Sequence, residues 1–327
     1  MQHTARQIHR HIQGAKRLML IPHQNPDGDA LGSVAAFMQW LRTIDKAHTS
    51  FCATPITPRL KFLPHLDYIT IDPAIWQDET IDTIIVFDSG DLRYAGVADY
   101  IAKLKHHPTI INIDHHITNE RFGLYNMVMP GASSTTEVLY RFFSANDIEI
   151  DEHIATCLLT GLMTDTDNFT NGATSHIALA IAGELLTRGG DIHLIRNLVF
   201  RDKSIPTLQL WGAVLSRLEK NTELDIVYTY LTQADLKRFG VGEVEAEGIA
   251  NFMNNLADGR AGLILKELPN GQFKGSFRTT RDDTDVAAFA KKLGGGGHKK
   301  AAGFTVDGPI AAATTTIFST IKALEAT

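Results

Sequence analysis

Short apolar runs alternate with amphipathic stretches along the first half of the chain, and several of the apolar runs stop at an acidic residue. Residues 4–16 have the spacing of a short amphipathic helix. Residues 17–21, centred on Leu-Met-Leu-Ile, predict a buried strand. Residues 30–41 predict a helix with Leu31, Val34, Phe37, Met38 and Leu41 on its apolar side. The alternation continues with a strand over 81–87 ending at Asp88, a helix over 97–104, and a strand over 109–113 ending at Asp114. Helices are expected over 134–143, 153–163 and 174–188, the last stopped by Gly189-Gly190. This order predicts an α/β fold with a mainly parallel sheet, whose ligands bind beyond the carboxyl ends of the strands.

Past residue 190 the pattern changes. Residues 191–221 read as largely helical. Strands are expected over 225–231, 260–267, 273–278 and 302–306, with helices over 246–256, 286–293 and 309–326. The domain expectation is one α/β domain over 1–190, a helical linker over 191–221, and a smaller mixed-sheet α/β domain over 222–327.

Composition narrows the class. The 327 residues are 44% hydrophobic and 21% charged, as in an ordinary globular protein. No run of eighteen apolar residues suggests a membrane span, and the first residues lack the apolar core of a secretory signal. The two cysteines, Cys52 and Cys157, make no disulfide framework, so a cytoplasmic setting is expected. A formal net charge of −6 argues against long duplex nucleic acid as a partner. A small anionic substrate remains compatible with it, because bound cations reverse the local sign of a site.

The chemistry gathers in four clusters: 23–29 (His-Gln-Asn-Pro-Asp-Gly-Asp), 88–91 (Asp-Ser-Gly-Asp), 114–116 (Asp-His-His) and 164–167 (Thr-Asp-Thr-Asp). Three follow expected strands and the fourth ends a helix-like segment. His23, Asp27, Asp29, Asp88, His115 and Asp165 are the candidate metal ligands, with Asp88 able to bridge two ions. Asp91 reads better as a cap. Asp114 is expected as a carboxylate supporting His115 or a neighbouring group, and His116 as a group facing a phosphate. Asp88, Asp114 and His116 are therefore the catalytic candidates. Hard oxygen donors with imidazoles suit two divalent ions, Mn²⁺ first, with Mg²⁺ or Co²⁺ as alternatives. Two such ions about 3.5–4 Å apart activate a water for attack on phosphorus. The pair His106-His107 precedes its strand and is expected at the surface.

In the second half, residues 294–300 (Gly-Gly-Gly-Gly-His-Lys-Lys) predict a ligand loop. Gly295, Gly296 and Gly297 let backbone N–H groups approach a phosphate, and His298 adds a donor. The spacing is not that of an ATP-binding phosphate loop. Arg278 can hold a phosphate bidentately. Ser134 either caps a helix or contacts substrate, with capping slightly ahead, and Phe277 either stacks on a base or sits in the core.

These segments together resemble the DHH phosphoesterase superfamily in its two-domain DHH/DHHA1 form. Within it, the chain resembles the bacterial group of bifunctional oligoribonucleases (nanoRNases) and phosphatases of adenosine 3′,5′-bisphosphate, PAP. The resemblance rests on residues 23–33, the Asp88 turn, Asp114-His115-His116, the Asp165 turn, and the Gly294-to-His298 run followed by Ala301-Ala302-Gly303-Phe304. It makes the first domain a catalytic DHH domain and the second a substrate-binding DHHA1 domain. It implies that His23, Asp27 and Asp88 hold one ion, and that Asp29, Asp88, His115 and Asp165 hold the other. It also implies that His116 contacts the scissile phosphate, while Arg278 and the His298 loop bind nucleotide across an interdomain cleft. Members of the group commonly show Asp-Thr-Gly where this chain has Asp165-Thr166-Asp167.

The expected function is metal-dependent hydrolysis of short RNA, linear dinucleotides or PAP. The nearest alternative is an inorganic pyrophosphatase or another small-phosphate phosphatase. An alternative of a different class is a nucleotide-responsive binding or regulatory protein with a structural metal site. The sequence leaves a homodimer open.

Overall fold

The computed structural model describes residues 1–201, 203–243 and 248–325. It divides into two compact units, Met1–Asp202 and Lys203–Thr327, so the division falls inside the stretch expected as a helical linker.

The first unit runs α1 (Gln2–Gly14), β1 (Leu18–Ile21), α2 (Gly28–Thr43), β2 (His48–Phe51), β3 (Ile69–Thr70), β4 (Thr83–Phe87), α3 (Ala98–Ala102), β5 (Thr109–Asp114), β6 (Tyr125–Val128), α4 (Thr135–Ala145), α5 (Glu152–Asp165), α6 (His176–Thr187) and α7 (Ile192–Ile195). Its sheet has the order β3-β2-β1-β4-β5-β6, and every neighbouring pair is parallel. Both faces are covered, which is why the strands read as continuous apolar runs. Leu18, Leu20, Ile85, Phe87, Ile111 and Ile113 point into a core shared with α2, α4 and α5. The alternate residues Met19, Ile21, Ile84 and Val86 pack on the opposite face with Phe51, Trp76 and Val97. Burying each large side chain contributes about 1.5–3 kcal/mol. The strand order reverses between β1 and β4. The crevice beyond their carboxyl ends is the topological switch point where such sheets bind ligands.

Sequence patterning missed β2, β3 and β6. Two are sheet edges, and β2 carries His48, Thr49 and Ser50, so none shows an apolar run.

The second unit contains α8 (Ile205–Leu215), β7 (Glu219–Asn221), β8 (Ile226–Leu231), α9 (Gln233–Phe239), α10 (Ile249–Phe252), β9 (Ala261–Glu267), β10 (Phe273–Arg278), α11 (Val286–Lys292), β11 (Gly296–His298), β12 (Ala301–Val306) and α12 (Ile310–Glu325). Its sheet order is β11-β12-β10-β9-β8-β7. Only β8 and β9 pair in parallel, giving the mixed sheet expected. The stretch expected to be helical over 191–221 ends as strand β7. The helix expected from Ala246 begins outside the described residues. Phe277 is fully buried against Phe289 and Phe304, so its role is packing. No helix among the described residues is long and apolar enough to cross a membrane.

Candidate metal centre

Three strand ends and one helix end deliver the first unit's polar side chains to one place. His23 lies just past β1, Asp88 follows β4, Asp114 is the last residue of β5, and Asp165 is the last residue of α5. Asp27 caps α2, its Oδ1 accepting the backbone N–H groups of Asp29 at 3.0 Å and Ala30 at 3.1 Å. That cap places Asp29 in the first turn, pointing inward. Asp29 is 0% exposed, and its carboxylate accepts Thr135 N at 2.6 Å and Thr136 N at 2.9 Å, the first amides of α4.

Asp88 occupies the centre. It is 2% exposed and has φ 57°, a left-handed conformation that Asp tolerates better than most residues. Its Oδ2 lies 3.5 Å from Nε2 of His23, and its Oδ1 lies 3.7 Å from Nε2 of His115. Nε2 of His23 is 3.8 Å from Asp27, and Nε2 of His115 is 3.2 Å from Asp165. Each ring is oriented from behind: Nδ1 of His23 bonds the Gln24 carbonyl at 2.8 Å, and Nδ1 of His115 faces the Ala132 carbonyl at 3.3 Å. Both rings therefore turn Nε2, the nitrogen free to hold an ion, toward the carboxylates. Tyr94 stacks on His23 at 5.0 Å.

These distances form three overlapping donor groups: His23 with Asp27 and Asp88, Asp29 with His115 and Asp165, and Asp88 with His115 and His116. The electrostatics ask for cations. Burial, then the charges of Asp165 and Asp88, push the Asp29 carboxyl well above its ordinary range. Burial, then Asp88 and Asp27, push Asp165 up to about 6 against the pull of His115. Burial alone would lower His23, but hydrogen bonds to Asp27 and Asp88 reverse it and raise the ring to about 11. Burial likewise opposes, and Asp165, Asp29 and Asp88 outweigh it, in raising His115 to about 10. A negative field that keeps protons on one buried and one half-buried imidazole is a field suited to divalent ions in their place. The donor set, imidazole nitrogen with carboxylate oxygen and no thiolate, fits hard or borderline ions.

Asp114 is fully buried and bonds His116, not His115: Nδ1 of His116 meets Oδ1 at 2.7 Å. His116 keeps a 40% exposed side chain. Ser134 is fully buried and spends its hydroxyl as the N-cap of α4, accepting from Glu137 N at 3.0 Å. Capping, which the sequence put slightly ahead of a substrate contact for Ser134, is the bond seen here. Thr135, next to it in the same segment at the start of α4, donates its Oγ1 to Asp88 at 2.9 Å, a contact the sequence did not indicate. Asp91 caps its own turn through Arg93 N and Tyr94 N. Asp167 is exposed, with φ 49°, a left-handed position that explains why glycine is at home there in the resembling group.

In the second unit, the expected glycine loop is partly strand. Gly296, Gly297 and His298 pair with Gly303, Ala302 and Ala301, and the N–H groups of Gly294 and Gly295 bond back to α11. Side-chain bulk is excluded at Gly295 and Gly297, where a Cβ would strike the β12 backbone. His298 is exposed. Arg278 ends β10, with Nε donating to Asn251 Oδ1 at 3.0 Å and Nη1 to the Phe277 carbonyl at 2.9 Å.

Comparison with known proteins agrees with this geometry. The DHH family model, N-terminal domain, matches residues 17–162, and the DHHA1 domain model matches residues 224–324. A bifunctional oligoribonuclease and PAP phosphatase, NrnA, from Thermus thermophilus is 31% identical over 297 residues, covering 89% of this chain and 84% of that protein. A probable manganese-dependent inorganic pyrophosphatase from Streptococcus thermophilus is 28% identical over 265 residues, covering 74% of this chain and 82% of that protein. The crystal structure of an exopolyphosphatase-related protein from Bacteroides fragilis superposes with a TM-score of 0.87 at 25% identity, covering 99% of this chain and 96% of that one.

Proposed function

We propose the following reaction for a chain that belongs to the DHH family and carries its DHHA1 domain: metal-dependent hydrolysis of short oligoribonucleotides, linear dinucleotides and PAP. The observation that carries it is the position of Asp88, one buried carboxylate between the ligand nitrogens of His23 and His115. His23, Asp27 and Asp88 would hold one divalent ion, and Asp29, Asp88, His115 and Asp165 a second. When bound, the ions, which we take to be Mn²⁺, supply Lewis acidity and neutralise phosphoryl charge.

The chain's own residues do the rest. Thr135 and the α4 amides fix Asp88 and Asp29, so that the donors need not reorganise. Water attacks phosphorus in line and gives up one proton to solvent as the bond to the departing oxygen breaks. That oxygen takes its proton from Nε2 of His116 in its doubly protonated form, whose Nδ1–H is held by Asp114. In the second unit, Arg278 and the 295–298 segment bind the nucleotide. The open space beside Gly296 and the exposed imidazole of His298 suit a phosphate there. The net charge of −6 favours short single strands over long duplex. The free, buried cysteines Cys52 and Cys157 suit a reducing cytoplasm.

The test is a product-resolved assay with Mn²⁺ on PAP, RNAs of several short lengths, linear diadenylate and pyrophosphate. Mononucleotide release from the shortest RNAs supports the proposal. Turnover of pyrophosphate alone would replace it with the pyrophosphatase reading. Nucleotide binding without any turnover would make the chain a binding protein.

A further inference from the structure

Sequence reasoning passed over Asn119, three residues beyond the Asp-His-His run and outside every cluster it named. Its side chain makes four polar contacts beside the metal centre. Backbone N–H of Arg121 lies 2.7 Å from one end of the amide. A backbone N–H can only donate, so that end is Oδ1 and the other is Nδ2. Nδ2 then faces three acceptors: Oδ2 of Asp114 at 2.5 Å, Oδ1 of Asn112 at 2.8 Å and the Ser89 carbonyl at 3.0 Å. Asn112 is itself fully buried within β5 and donates to the same Ser89 carbonyl at 3.2 Å. A buried amide is retained in a sheet interior only where its bonds are made, and here they all lead to Asn119 and the Asp88 turn.

The two oxygens of Asp114 are thus divided. Oδ1 takes the ring of His116, and Oδ2 takes Asn119. A carboxylate held at one oxygen can turn about its last bond. Held at both, it presents a fixed acceptor to the imidazole. Because a carboxylate only accepts, Nδ1 of His116 must carry hydrogen, and Nε2 is the nitrogen left to face a substrate. The loop itself is already latched by a backbone bond, Glu120 N to the Gly90 carbonyl at 2.8 Å. The side chain of Asn119 is therefore not needed merely to close the loop.

We propose that Asn119 is a positioning residue for the reaction: through Asp114 it fixes the ring of His116 so that Nε2 reaches the departing oxygen. The proposal rests on the reading in which His116 protonates the leaving group. It differs from a scaffolding role in what it predicts for different substrates. A ribose oxygen departs as a poor leaving group and needs the proton, whereas a nitrophenolate departs without one.

The experiment compares wild type and Asn119→Ala on a diribonucleotide and on a nitrophenyl ester of a nucleoside monophosphate, both with Mn²⁺. On the diribonucleotide, kcat is expected to fall about tenfold or more with KM little changed. On the nitrophenyl ester the fall should be much smaller. Equal losses on both substrates would overturn the proposal. A second readout needs no turnover. In the metal-free protein, the Nδ1–H proton of His116, assigned by its absence in His116→Gln, should give a slowly exchanging downfield resonance. Asn119→Ala should lose it, and its persistence would also overturn the proposal. If Asn119→Ala does not fold, Asn119→Ser, a shorter donor, carries the same two measurements. A wild type that hydrolyses no phosphoester would refute the proposed function, while the ring resonance would still decide the role of Asn119.

Discussion

Gly161 lies directly against the carboxylate of Asp29: a Cβ at this position would overlap Oδ1 of Asp29 and fall 2.6 Å from Oγ1 of Thr136. Helix α5 crosses α2 and the start of α4 at this point, and the missing side chain is the space the carboxylate occupies. Asp29 cannot step aside, because two α4 amides hold it. Gly161→Ala is therefore expected to cost about 1–3 kcal/mol, read as a lower thermal midpoint. It should also weaken the ion assigned to Asp29, His115 and Asp165 more than the other. Calorimetric titration with Mn²⁺ showing two unaltered binding events would refute this account.

Asp88→Asn tests the shared ligand cleanly. Asn accepts the left-handed backbone of this position and keeps the side-chain shape, while the bridging charge is lost. Activity with Mn²⁺ is expected to fall by more than about 100-fold with circular dichroism unchanged, since even outer supports of a metal ligand are worth about 10–100-fold. Near-normal turnover would remove Asp88 from the bridge.

Metal binding should release protons. In the metal-free protein His23 and His115 are held at about 11 and about 10, so both rings are charged at neutral pH. An ion accepts only the neutral ring, so Mn²⁺ affinity is expected to weaken as pH is lowered. Calorimetry in buffers of different ionisation enthalpy measures the protons released, and a buffer-independent enthalpy would contradict the prediction. The sign for stability is the opposite. Raised histidine values stabilise the metal-free fold fully below 6.5, and that contribution is lost as pH rises through about 10 to 11. Thermal melts in chelator across that window check it.

The second unit has its own acid-sensitive joint. Arg217 grips Asp235 at 2.6 Å through both nitrogens, and Asp235 also closes the capping box of α9 with Thr232. The Arg217 hydrogen bond holds the Asp235 carboxyl far below its ordinary value of 3.8, against a smaller burial effect. The stabilisation is present above that ordinary value and is lost as pH falls toward the folded one. Asp235→Ala should cost about 1–3 kcal/mol at neutral pH and flatten the acid limb of the melting curve. An unchanged acid limb would show that the pair does not control it.

Much of this protein is legible in one dimension. Periodicity marks β1, β4 and β5 because both sheet faces bury them, so their apolar runs are continuous, and Asp88 and Asp114 mark where β4 and β5 reach the crevice. The six ligand candidates could be named from that pattern, and they do meet. Edge strands β3 and β6 stayed hidden because a half-solvated edge does not need an apolar sequence, and β2 because it carries His48, Thr49 and Ser50. What the chain could not state locally was who partners whom. Asp114 supports His116 and Asn119, Ser134 turns inward as a cap, and Thr135 reaches Asp88 across 47 positions of sequence. The glycine run becomes an edge strand because β12 lies beside it. Local sequence sets periodicity, caps and turns, since those depend on neighbours along the chain. The crossovers that order the sheet β3-β2-β1-β4-β5-β6 decide which buried charges share a crevice, and buried charge persists only where its partners arrive.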